Sequence, residues 1–285
     1  SFLNERSKYY LKNLSKPEYS IDSSSRLSPF LSNGVISVKE IINEYRKRKE
    51  SNFSSNTKGL IRNISAFNSR LSWRCHFIQK LEDQPDIEFK SMHSAYEGIR
   101  DNFTNEFFFE SWMEGKTGFP IVDACMRSLI KTGWLPFRMR AMLVSFASYN
   151  LLIDWKKSGT YLAKLFTDFE PGIHYSQMQM QSGVTGINAV RIYNPVKQSY
   201  DQDPNGTFIR KWVTELKYVH NTYIHEPWKM NLDLQQKSKC ILGPDYPKPI
   251  VDHNQTSKFA KNLIYSKKKT KNFNDGAVKV FNKLG

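Results

Sequence analysis

The chain has 285 residues, 39% hydrophobic and 14% aromatic, with 42 Lys and Arg against 27 Asp and Glu for a formal charge of +15. That composition can fill a sizeable core and excludes disorder throughout, while the positive excess suits a polyanion: DNA, RNA, anionic lipid or a phosphorylated cofactor. No apolar run approaches the ~20 residues of a membrane span, and Ser1-Phe2-Leu3-Asn4-Glu5-Arg6 lacks a secretory h-region, so a cytoplasmic location without membrane contact is expected.

In chain order, Ser23-Ser24-Ser25-Arg26-Leu27-Ser28-Pro29-Phe30-Leu31 places hydroxyls ahead of a helical pattern with proline in its first turn. Such a run caps a helix and offers hydroxyl and backbone N–H donors to a phosphate. Serine-capped helices without a ligand are also common, and these residues alone leave both readings open. Val35, Ile36, Val38, Ile41, Ile42 and Tyr45 then recur at helical spacing. So do Ile121, Val122, Cys125, Met126, Leu129 and Ile130, followed by Met142, Leu143, Phe146 and Tyr149. Strand signals are scarce, no repeat is visible, and breakers at Gly133, Pro171-Gly172, Gly183 and Asn194-Pro195 separate the segments, so an all-α fold with functional loops is expected.

From Thr256 to Gly285 eight Lys stand against one Asp, a net of +7. Preceded by Gly243-Pro244, Pro247 and Pro249, this divides the chain into a helical domain over 1–250 and a basic, Lys- and Asn-rich tail over 251–285, read as solvated and flexible. Other chemistry finds no support. Gly115-Lys116-Thr117 lacks the upstream glycine of a phosphate loop, because Glu110 stands there. Six histidines show no metal-ligand spacing, and no nucleophile elbow is present. Cys75, Cys125 and Cys240 are too scattered for a disulfide framework and read as reduced thiols.

The blocks Trp112-x-x-Gly115-x-Thr117-Gly118-Phe119-Pro120-Ile121-Val122-Asp123-Ala124, Thr132-Gly133-Trp134, Arg138-Met139-Arg140 and Leu151-Leu152-Ile153-Asp154-Trp155 occur in an order that resembles the flavin domain of the photolyase/cryptochrome family. Arg191-Ile192-Tyr193-Asn194-Pro195, Phe208-Ile209-Arg210-Lys211-Trp212 and Ile224-His225-Glu226-Pro227-Trp228 extend the resemblance over most of residues 1–250. It implies the family's helical FAD-binding domain without the N-terminal α/β antenna domain, as a short member or as the helical domain alone. It also implies a monomeric, light-dependent DNA photolyase that uses reduced FAD to split cyclobutane pyrimidine dimers in DNA. A cryptochrome-type photoreceptor and a non-catalytic nucleic-acid-binding module are the alternatives.

Carried over residue by residue, the resemblance assigns Ser24, Ser25, Arg26, Leu27 and Ser28 to the FAD diphosphate and lets Tyr10 close on the same cofactor. Arg74 and Arg140 become flavin-side arginines, Asp168 and Glu170 an acidic pair whose first member meets Arg140. Trp134 is a further cofactor-side residue. His174 occupies the position facing flavin N5, with the alternative that it only hydrogen-bonds a loop carbonyl. Trp73 matches the tryptophan that stacks on a flipped dimer, and Gln198 a DNA-contacting glutamine, with Arg138, Lys197 and Lys211 offering phosphate contacts. Arg70, Phe137 and Met180 replace the family's usual glutamate, asparagine and second tryptophan in the lesion pocket. Trp155 matches the middle of an electron-transfer chain of tryptophans, whose other members are replaced by Met178 and Asn102, with Trp134, Tyr149 and Tyr175 as candidate substitutes.

Overall fold

Helix boundaries fall where the sequence supplies caps and breakers. The computed structural model describes residues 2–51, 58–269 and 271–284; Ser1, Thr270 and Gly285, which belong to segments read above, lie outside them. Four short helices, α1 (Tyr10–Asn13), α2 (Pro17–Ser23), α3 (Ser28–Ser32) and α4 (Val38–Ser51), precede the long α5 (Lys58–Asp83). Next come α6 (Glu106–Met113), α7 (Pro120–Thr132), α8 (Phe137–Ser145), α9 (Trp155–Leu165) and α10 (Pro171–Ser182). The chain continues through α11 (Pro195–Gln202), α12 (Thr207–Trp212), α13 (Leu232–Lys237), α14 (His253–Lys268) and α15 (Lys271–Leu284). Ser37 and Glu40 form a reciprocal capping box at the start of α4, with Glu40 N–H donating to Ser37 Oγ at 3.1 Å and Ser37 N–H to Glu40 at 2.8 Å. Asp154, Asn194 and Asp252 cap α9, α11 and α14, and Gly133 and Gly183 end α7 and α10 at left-handed φ values of 68° and 76°.

The main core lies around α7 and α8, whose apolar residues other than Ile130 and Phe137 are buried with Trp112, Phe119 and Trp155. After α8 the chain forms a π turn at Phe146–Asn150, where all five residues are buried. A second cluster of Phe2, Tyr10, Ile41, Phe67 and Leu71 fastens the N-terminal helices to α5. α10 packs between α5 and α8, and Gly172 makes this possible: a Cβ there would lie 2.7 Å from Ile78 Cα of α5. Cys125 and Cys240 are buried, and Cys75 is exposed.

The segment from 251 onward, expected as a flexible tail, is instead part of this architecture. Ala260 and Ile264 of α14 and Phe273 of α15 join the main core, while Val280 and Leu284 form a third cluster with Ile87 and Met92. Phe273 stacks on His93 at 4.2 Å, and its carbonyl accepts the His93 Nε2–H at 2.9 Å. Charge masked the relevant signal. Phe273, Ala277, Val280 and Leu284 follow one another at i, i+4, i+7 and i+11, which is one helical stripe. Among the described residues no helix is long and apolar enough to cross a membrane.

Candidate functional site

The serine run lies between two helices. α2 ends at Ser23, Ser24 is extended, and Arg26 takes a left-handed φ of 57° before α3 begins at Ser28. That turn lays the Arg26 guanidinium over the Trp134 ring, 4.2 Å from its centroid. Ser25 is held from both sides: its carbonyl accepts from Arg6 at 3.4 Å, and its hydroxyl accepts the Leu27 N–H at 3.4 Å. Ser24 Oγ and Arg26 Nε are buried and have no hydrogen-bond partner among the described residues. Native interiors rarely leave such donors unpaired, so the two atoms fit a group that supplies acceptor oxygens.

Opposite the run, Arg140 and Asp168 form a bidentate pair with both N–H···O distances 2.9 Å. Arg140 is steadied by donating Nε–H to the Leu135 carbonyl at 2.8 Å and by lying 4.2 Å over the Phe166 ring. Burial pushes the Asp168 carboxyl up, but the Arg140 charge and hydrogen bonds from Arg140 and Ser28 outweigh it and hold the group below the usual carboxylate range. For Arg26, burial is the largest influence; Asp168 opposes it, Arg6 and Arg140 add to it, and the guanidinium ends below its ordinary value. An added anion would relieve that concentration of positive charge. Arg74 and Glu170 pair at 2.7 Å on the neighbouring side.

Tyr10 sits inside the second cluster, its ring edge-on to Phe2 at 5.7 Å and Phe67 at 6.2 Å. His174 is buried, and its Nε2–H donates to the Gly159 carbonyl at 2.9 Å. The acceptor belongs to α9 and not to a loop, which corrects the expected alternative. Burial lowers the His174 pKa from 6.5 to about 4. The unfolded chain therefore takes up a proton below pH 6.5 that the folded site refuses, so stability falls as pH drops from 6.5 toward 4, by roughly 3 kcal/mol from this group. In His174→Gln that part of the curve of melting temperature against pH should flatten; an unaltered slope would assign it to other groups.

Trp73 and Phe137 are about half exposed, on α5 and α8, and Met180 is half-buried on α10. Arg70 lies 4.5 Å over one face of Trp73, and Arg138 lies 5.8 Å from the Tyr193 ring centroid. Gln198 is corrected: α11 turns it inward to 8% exposure, with Oε1 unpartnered among the described residues, so it is not a free surface contact. Lys197 on the same helix is exposed and paired with Asp201.

Trp155 is fully buried and donates Nε1–H to Ser91 Oγ at 3.2 Å, and among the described residues no aromatic ring packs against it. Met178 is buried and Asn102 exposed. Of the candidate substitutes, Tyr175 touches His174 with ring centroids 5.2 Å apart, and Trp134 lies under Arg26. Tyr149 is a core residue facing Arg100. The sequence reading missed Phe166, the platform under Arg140, and Gly172, whose Pro171-Gly172 motif was read only as a breaker.

Fold and site together define a helical domain built around a phosphate-bearing cofactor, with an exposed aromatic and cationic surface beside it. The profile of the family described as "FAD binding domain of DNA photolyase" matches residues 67–266. A deoxyribodipyrimidine photo-lyase of Alkalihalophilus pseudofirmus is 37% identical over 262 residues, covering 91% of this chain and 52% of its own length. The crystal structure of a bacterial class III photolyase from Agrobacterium tumefaciens superposes with a TM-score of 0.82 at 30% identity, over 94% of this chain and 54% of that one. A Synechocystis cryptochrome does so with a TM-score of 0.80 at 28% identity, over 91% and 52%. The chain belongs to the DNA photolyase family and contains its FAD-binding domain. It spans about half the length of the curated relatives it matches.

Proposed function

We propose that this chain is the cofactor- and DNA-binding part of a light-dependent photolyase that acts on cyclobutane pyrimidine dimers in DNA. The observation that carries the reading is the convergence of the serine run, Arg26 and the Arg140–Asp168 pair on one side, with the exposed Trp73 on a packed neighbouring helix. FAD, in its reduced form and when bound, supplies the light-driven electron that opens the dimer ring. Protein groups bind and orient. Ser24 and Arg26 would take the diphosphate oxygens, Arg140 and Asp168 would hold the ring end, and His174 would stay neutral at physiological pH. Trp73 offers its face away from Arg70 to an extruded base. The protein is read as a monomer acting wherever the cell keeps its DNA.

The test is the flavin spectrum of the purified protein, followed by dimer absorbance in ultraviolet-treated oligo(dT) under blue light and in darkness. Repair in light alone supports the reading. Bound, photoreducible flavin without repair would replace it with a photoreceptor, a role for which the Synechocystis likeness is the specific observation. For Trp73→Ala, damaged-DNA affinity should fall by about 1–3 kcal/mol, as loss of a stacking platform requires, with FAD still bound. Joint loss of flavin and folding would make Trp73 a structural residue.

A further inference from the structure

The two C-terminal helices carry a charge pattern that differs from the rest of the chain. Of the described lysines elsewhere, eight enter ion pairs, among them Lys47–Glu44 and Lys237–Asp233, often with a carboxylate on the same helix at i,i+3 or i,i+4. Among the described residues, none of Lys258, Lys261, Lys269, Lys279 and Lys283 enters an ion pair, and α14 contains no acidic residue. All five are exposed. Lys258, Asn262 and Tyr265 on the outer face of α14, and Lys269 at its C-cap, recur at i, i+4, i+7 and i+11, opposite the buried Ala260 and Ile264. Lys261 and Lys268 flank the Tyr265 ring at 5.9 and 5.3 Å. On α15, Lys279 and Lys283 bracket Phe281, which is 65% exposed. Like charges at this spacing repel one another, and among the described residues no carboxylate pairs with them.

We propose that the outer faces of α14 and α15 form an accessory surface that holds the sugar–phosphate backbone of DNA. From Lys258 to Lys269 the helix rises about 16 Å, which spans about five phosphates of one strand. Interleaved cations and aromatic rings suit a nucleic-acid strand. A lipid surface would demand a broad apolar face, whereas the exposed apolar side chains here, Phe259 and Tyr265 on α14 and Val278 and Phe281 on α15, stand among Lys and Asn. The helices are also fixed to the helix that carries Trp73. Lys80, seven residues beyond Trp73 and thus on nearly the same side of α5, donates to the Leu284 carbonyl, and Leu81 packs against the cluster that holds Val280 and Leu284. All of α15 lies beyond residue 266, outside the segment that the family profile matches.

This inference rests on the chain binding DNA, so the experiment separates the two. Fluorescence anisotropy follows an undamaged duplex over a salt series with the full chain, with Lys258→Gln/Lys261→Gln/Lys269→Gln, and with Lys279→Gln/Lys283→Gln. The slope of log K against log salt should become less steep by about 0.9 for each phosphate that a variant no longer neutralises. FAD content and melting temperature should be unchanged, because these side chains are exposed. Wild-type slope in both variants overturns the accessory surface while leaving the photolyase reading intact. Loss of binding to phosphatidylserine vesicles with DNA binding unaltered overturns it in favour of a lipid surface. Absence of duplex binding by the unaltered chain overturns both readings.

Discussion

Replacing Asp168 with alanine is expected to release FAD and to lower stability by about 3 kcal/mol. Its side chain is only 4% exposed, whereas Arg140 is 22% exposed, which places the loss toward the lower end for a broken buried pair. The guanidinium would not simply swing away, since Leu135 and Phe166 still hold it. It would remain an uncompensated charge in the neighbourhood of Arg26. Asp168→Asn keeps an accepting oxygen without the charge and should fall between alanine and wild type. Because the folded carboxyl lies below its ordinary value, its contribution is complete at neutral pH and is lost only as pH falls below about 4 toward the lower folded value. The ratio of flavin to protein absorbance after gel filtration, together with urea midpoints, checks this. Wild-type FAD content in Asp168→Ala would remove the residue from the site.

The all-α fold was legible because helical spacing and breakers agree along most of the chain. Gly133 and Gly183 stop helices at left-handed φ, and Asn194 and Asp154 start them. The basic C-terminal segment was not legible by charge counting, since its lysines occupy the outward positions of helices whose inward stripe is apolar. Site geometry is a matter of long-range packing, which periodicity does not encode. Arg140 and Asp168 lie 28 residues apart, and only family resemblance joins them in the sequence; Arg74 and Glu170 lie 96 apart, and the sequence does not join them at all. Gln198 shows the converse limit. Its place after Asn194-Pro195 suggested a DNA contact, but Pro195 and Ser199 are buried on the same helix and the local turn carries Gln198 inward with them.

The second large effect concerns the loop that read as a failed phosphate motif. Asp123→Ala should cost at least about 3 kcal/mol and lower the melting temperature by about 10 °C without touching the cofactor site directly. The fully buried Asp123 carboxylate accepts from Thr117 N–H at 2.8 Å, Thr117 Oγ–H at 2.6 Å, Gly118 N–H at 3.0 Å and Tyr246 O–H at 2.5 Å. Alanine leaves all four donors buried and unpaired, which is more damaging than removing any one of them. The same loop has no room to rearrange. Gly118 has φ 79°, and a Cβ on it would meet the Lys248 carbonyl at 2.4 Å, while the Thr117 carbonyl accepts from Ile250 N–H at 3.1 Å. Tyr246→Phe removes one donor and should cost about 2 kcal/mol. In Asp123→Ala that substitution should cost far less, since the acceptor is already gone, and a double-mutant cycle reads the difference as coupling. Additive losses in the cycle would mean that Tyr246 and Asp123 stabilise the loop independently, and a melting temperature close to that of wild type in Asp123→Ala would remove the carboxylate as its organising centre.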